Sequence, residues 1–92
     1  MISPPKRLQD MKNVGAKFEL ALARVGIESP QQLETADPFD VYARLKRDVP
    51  GTSLVALYAL IGAMDDRHWL EVKRERRTEI LLRLDDMGIA PK

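Results

Sequence analysis

Phe18, Ala21, Leu22 and Val25 stand at i, i+3, i+4 and i+7, the spacing that lines one face of an α-helix. Phe39, Tyr42 and Leu45 repeat the rhythm, as do Ile80, Leu81, Leu84 and Met87 nearer the end of the chain. Between them lies a stretch in which Leu54, Val55, Leu57, Tyr58, Leu60, Ile61 and Met64 leave almost no polar side. A helix apolar over most of its circumference belongs in the middle of a domain. No run of β-branched residues alternates with polar ones as a half-buried strand would. The pattern predicts an all-α fold: a single compact bundle of five to six short helices over residues 1–92, packed around the fifth.

Punctuation between the apolar runs sets the boundaries. Ser3, with Pro4 and Pro5 behind it, opens a first helix whose apolar face carries Leu8 and Met11. A turn on Asn13-Val14-Gly15 leads into the second. Gly26 ends that helix as a left-handed residue, and Ile27 folds back as the accompanying apolar contact. Ser29-Pro30-Gln31-Gln32 supplies a cap, a proline at the first helical position and a capping-box glutamine for a third helix. Asp37-Pro38 repeats the device for a fourth, which Pro50-Gly51 breaks, and Thr52 or Ser53 caps the fifth. A polar corner, "DDRHWLEV", precedes the last helix, which Gly88 ends.

The tightest junction lies in "LQDMKNVGAKFELALARVGI", Leu8 to Ile27, where two helices joined so closely must cross. Such a corner needs backbone with φ > 0, which glycine adopts freely and asparagine tolerates best among the rest. Asn13 and Gly15 are placed to supply it, and Val14 between them turns inward to pin the corner to the core. The amides of residues 13 to 17 are then expected to be unpaired, because a helix's first N–H groups have no internal partner. The helix dipole adds partial positive charge there, so a nucleic-acid phosphate fits. Lys17 lies within the first turn and reaches the same anion. The expected contacts are Asn13, Val14, Gly15, Ala16 and Lys17, with Lys12, Lys6 and Arg7 as auxiliaries. A plain packed corner between two helices would use the same residues.

Composition narrows the function classes. With 45% hydrophobic and only 5% aromatic residues, the core is aliphatic. The absence of cysteine excludes disulfides, thiolate metal sites and thiol nucleophiles. "MISPPKRLQD" has no apolar run like that of a signal peptide, and "SLVALYALIGAM" is shorter than the about 20 residues a bilayer requires. A cytoplasmic location is expected, with no membrane role. Net charge is only +1, but it is unevenly distributed. Lys6, Arg7, Lys12, Lys17 and Arg24 outnumber Asp10 and Glu19 in residues 1–24, whereas residues 25–43 hold four acids and no base. Arg44, Lys46 and Arg47 then stand against Asp48, so one basic face can form.

Other chemistry is sparse. A single histidine without cysteine makes no metal site, and no set of nucleophile, base and oxyanion donors can be assembled. No enzyme, cofactor or small-molecule substrate is expected. At His68-Trp69 the tryptophan is expected to plug the core edge and the histidine to bond nearby backbone. "KRERR", Lys73 to Arg77, is the densest basic cluster, but Glu71, Glu75 and Glu79 interleave with it at spacings that allow i, i+4 pairs. A solvated helix face is favoured over a phosphate-tracking stripe. Pro50-Gly51-Thr52-Ser53 faintly repeats the first corner and offers a second anion site, although capping by Thr52 or Ser53 explains it more simply. Asp65-Asp66 and Asp85-Asp86 are adjacent in sequence, which on a helix points them apart rather than into one dyad.

Leu8, Met11, Asn13, Val14, Gly15 and Lys17 resemble the helix-hairpin-helix motif, with Asn13 in place of its first glycine. "NVGAK" is also similar to a corner in the C-terminal domain that RNA polymerase carries on its α-subunit. A longer resemblance spans Leu8 to about Leu84. "LQDMKNVGAKFELALARVGIESPQQL", "VYARLKRDVPGTSLVALYALIGAMDDRHW" and "ERRTEILLRL" together look like the C-terminal domain of the TfoX/Sxy family, bacterial regulators associated with DNA uptake competence. The resemblance implies a helical module with a role in regulating gene expression and no catalytic residues. The N-terminal domain of full-length members has no counterpart in these 92 residues, so a stand-alone module is expected. Weak, sequence-tolerant nucleic-acid binding is the leading expectation. The alternative is an adaptor docking on a transcription regulator or on a separate N-terminal-like domain.

Overall fold

The computed structural model describes residues 6–90, and all regular structure among them is helical. One 3₁₀ turn, Leu8–Asp10, precedes five α-helices: α1 (Ala16–Arg24), α2 (Pro30–Thr35), α3 (Pro38–Asp48), α4 (Leu54–Asp65) and α5 (Trp69–Asp86). The all-α expectation holds. The first expected helix is corrected: Ser3, Pro4 and Pro5 lie outside the described residues, and Leu8 to Asp10 form only the 3₁₀ turn. Met11 and Gly15 are extended and Asn13 is left-handed at φ 70°, so the helix-hairpin-helix likeness is confined to its second arm.

The caps form largely where local chemistry places them. Ser29 Oγ accepts the Gln32 N–H at 3.2 Å, while Gln32 Oε1 accepts the N–H of Glu28 at 2.6 Å. The Asp37 carboxylate accepts the Phe39 N–H at 2.9 Å. Gly26, at φ 88°, turns the chain so that the Ile27 N–H reaches the Leu22 carbonyl at 3.0 Å and Ile27 is buried. The end of α5 at Gly88 repeats this closure. Asp66 does the same for α4 at φ 55°, a conformation aspartate tolerates better than most residues. Capping of α4 is a correction. Ser53 makes no cap bond, and the Thr52 hydroxyl turns back to the end of α3, 2.8 Å from the Val49 carbonyl and 3.2 Å from that of Leu45.

Helix α4 is the centre, as its all-round apolarity requires. Seven consecutive residues, Leu57 to Ala63, are buried. Val72, Ile80 and Leu84 of α5 close one side, and Phe39, Val41, Tyr42 and Leu45 of α3 another. Leu22 and Val25 of α1 join the same core together with Leu8, Met11 and Val14. Each such side chain contributes about 1.5–3 kcal/mol through burial. No helix among the described residues is long and apolar enough to cross a membrane.

Two polar fasteners hold the N-terminal segment. Asn13 forms the first. Its Nδ2 donates to the Arg67 carbonyl at 2.7 Å and lies 3.5 Å from that of Ala59, while Oδ1 accepts the Trp69 N–H at 3.1 Å. The amide thereby satisfies one of the first N–H groups of α5, which the helix itself cannot pair. Gly62 makes room for it: a β-carbon there would collide with Asn13 Nδ2 and the Arg67 carbonyl oxygen. His68 completes the junction as expected, its Nδ1 accepting the Leu70 N–H at 3.1 Å and its ring stacked on Trp69.

Glu19 is the second fastener. Its carboxylate accepts the Gln9 N–H at 3.0 Å and the Arg7 guanidinium at 2.7 Å, which fixes the 3₁₀ turn to α1. The Gln9 bond, followed by Arg7, holds Glu19 below the usual carboxylate range. A depressed folded pKa means the contribution is complete above the unfolded value, near 4.5, and is lost as pH falls through the lower folded value. Glu19→Gln is therefore expected to lower stability at neutral pH and to flatten the acid limb of a stability-against-pH curve. An unchanged acid limb would show that Glu19 titrates alike in the folded and unfolded chains.

Candidate nucleic-acid interface

Helix α1 begins at Ala16 because Gly15, extended at φ −99° and ψ −178°, lets the chain enter the helix while its carbonyl accepts the Glu19 N–H at 2.9 Å. The N–H groups of Ala16, Lys17 and Phe18 have no partner among the described residues. Helix α4 starts in the same way. The N–H groups of Leu54 and Val55 and the Ser53 hydroxyl have no partner among the described residues either.

These two helix starts border one groove of about 510 Å³. Gly15 and Lys17 form one wall, and Pro50, Gly51, Thr52 and Ser53 the other. Phe18, Ala21, Leu45, Val49 and Ala56 make an apolar floor. No carboxylate lines it. Asp48, next to the lining residue Val49, is held by Arg47 at 3.1 Å, which keeps its carboxyl below the usual range. Lys46 Nζ lies 3.3 Å from the Thr52 carbonyl, placing a second ammonium beside the turn. Two positive dipole ends, unpaired donors and Lys17 thus meet in one concavity, an arrangement suited to an anion.

The residues expected to contact nucleic acid separate into two groups. Gly15, Ala16 and Lys17 are exposed, and Gly15 and Lys17 line the groove. Val14 is in the core and its N–H is bonded to the Met11 carbonyl at 3.2 Å, which corrects the expectation of unpaired amides across 13 to 17. The Asn13 side chain is committed to the α4–α5 junction. Gly15 does not use φ > 0; Asn13 alone bends the corner. Of the auxiliary cations, Arg7 is paired with Glu19 at 2.7 Å and Lys12 lies 4.0 Å from Asp66. Lys6 is exposed, without an ion pair among the described residues. Ser53 and its neighbours enter the site because the expected cap does not form.

The sequence profile of the TfoX C-terminal domain matches residues 4–84. The chain belongs to the TfoX C-terminal domain family. A crystal structure of an uncharacterized protein from Listeria monocytogenes, in a triclinic form, superposes with a TM-score of 0.76. The match covers 94% of this chain and 99% of the other at 22% identity, a likeness of fold. No curated protein matches the chain. In this TfoX C-terminal domain the stretch "NVGAK" has two separable uses. Asn13 and Val14 build the corner, and Gly15 and Lys17 line the groove.

Proposed function

We propose that the groove between the starts of α1 and α4 receives the phosphate backbone of a nucleic acid, as part of a non-enzymatic regulatory module. The carboxylate-free convergence of two helix starts and Lys17 carries this reading. Phosphate contacts carry no sequence information directly, so binding is sequence-tolerant, with Kd on the order of 10⁻⁴ to 10⁻⁶ M at physiological salt. Lys17→Glu is expected to weaken binding to a short duplex about tenfold at low salt and to reduce the salt slope by about 1. Superimposable wild-type and variant curves, or no wild-type binding at low salt, would remove the proposal.

The apolar floor, Phe18, Ala21, Leu45, Val49 and Ala56, favours a second use, docking of a protein partner. An amide-shift titration with duplex separates the two. Phosphate contact moves residues 15–18 and 51–55, whereas an adaptor retains a stable protein partner and leaves those amides unmoved by duplex.

A further inference from the structure

We infer that one flank of α5, carrying Lys73, Arg74 and Arg77, is a second phosphate-contacting surface for the same nucleic acid. The inference rests on nucleic acid being the ligand but not on the groove being its seat. From Glu71 to Glu79 the charged four-residue neighbours are alike: Glu71, Glu75 and Glu79 form one row, and Lys73 and Arg77 another with Arg74 beside them. Like charges at i, i+4 destabilise a helix, whereas a face built only for solubility gains by placing acid opposite base. The interleaving in sequence yields one ion pair within the helix, Arg76 with Glu79 at i, i+3.

Each acid of the row is paired with an arginine other than Arg74 and Arg77. Arg67, in the turn before α5, binds Glu75 at 2.7 Å and Glu71 at 3.3 Å. Glu79 takes Arg76 at 2.6 Å, and Arg76 also lies 4.0 Å from Asp65. These pairs hold Glu75 and Glu79 below the usual carboxylate range. Lys73, Arg74 and Arg77 are exposed and have no ion pair or hydrogen bond among the described residues, so their charge is uncompensated.

The spacing of that row fits a regular anion lattice. Lys73 and Arg77 are separated by one helical turn, about 6 Å of rise. That is under two charge repeats of a nucleic-acid strand, at about 3.4 Å each. The start of α5 is tied to the corner, since Asn13 Oδ1 accepts the Trp69 N–H.

The test compares four chains across a salt series with a mixed-sequence duplex: wild type, Lys17→Glu, the triple variant Lys73→Gln/Arg74→Gln/Arg77→Gln, and their combination. The three side chains are exposed, so the triple variant keeps the fold, checked by an unchanged helical spectrum and melting curve. The expected result is a fall of about 2 to 3 in the salt slope for the triple variant, adding to the effect of Lys17→Glu. A triple variant indistinguishable from wild type, while Lys17→Glu binds more weakly, overturns the flank and leaves the groove. A weakened triple variant with Lys17→Glu unchanged supports the flank and removes the groove. Wild type that ignores duplex overturns both. If it instead binds polyglutamate and the triple variant does not, the flank belongs to an acidic polypeptide.

Discussion

Gly62→Ala should destabilise the domain by about 1–3 kcal/mol, the range in which over-filled interiors fall. The sign is the test, because glycine to alanine inside a helix ordinarily gains about 1 kcal/mol. At Gly62 the added carbon meets the Asn13 amide and the Arg67 carbonyl oxygen. The carbonyl belongs to backbone already fixed by the Arg67 N–H bond to the Gly62 carbonyl at 2.8 Å, so it cannot simply rotate away. Denaturant midpoints at an unchanged slope report the loss directly. A more stable variant would mean that the α4–α5 junction yields without cost.

Asn13→Ala is the second large effect, about 3 kcal/mol. It strips the Arg67 carbonyl and the Trp69 N–H of their partner in a partly buried place, at about 1–3 kcal/mol for each group left unpaired. It also puts alanine at φ 70°, which adds about 1 kcal/mol. Asn13→Gly separates the contributions, since glycine removes the backbone penalty and leaves only the lost bonds. In a Gly62→Ala background, where the asparagine is already displaced, Asn13→Ala should cost markedly less. Strict additivity in that double-mutant cycle would deny that the two residues share one contact.

The features legible in the sequence are those whose cause is local. Ser29, Asp37, Gly26 and Gly88 cap or close their helices within a few residues, and a turn-by-turn inspection of the chain finds them. The central place of α4 follows from its own apolar circumference. The polar side chains with distant partners are the ones that escape. Asn13 reads as a substitute for a turn glycine, and it does take the left-handed turn, but its amide bonds across more than fifty residues. Thr52 reads as a cap for the helix after it and serves the one before it. The signal for the first is present: a lone glycine in the interior of an apolar helix, Gly62, marks a close approach by something from outside. For Thr52 no comparable sign exists, since the choice between preceding carbonyls and following amides depends on how the 50–53 turn is folded. The candidate interface divides along the same line. Gly15 and Lys17 follow from the helix start, whereas the contribution of 50–53 requires knowing that α1 and α4 begin side by side.

The Asn13 junction also bears on the order in which the chain assembles. Its bonds span 54 and 56 positions and tie the chain into a ring, while capping, helical turns and the Gly26 and Gly88 closures need only near neighbours. Ring closure costs entropy that is recovered only once both ends of the ring are in place. Short-range structure therefore condenses first and the ring shuts late, beyond the rate-limiting barrier. For Asn13→Ala the lost stability should accordingly surface in stopped-flow as faster opening, with the refolding rate nearly untouched.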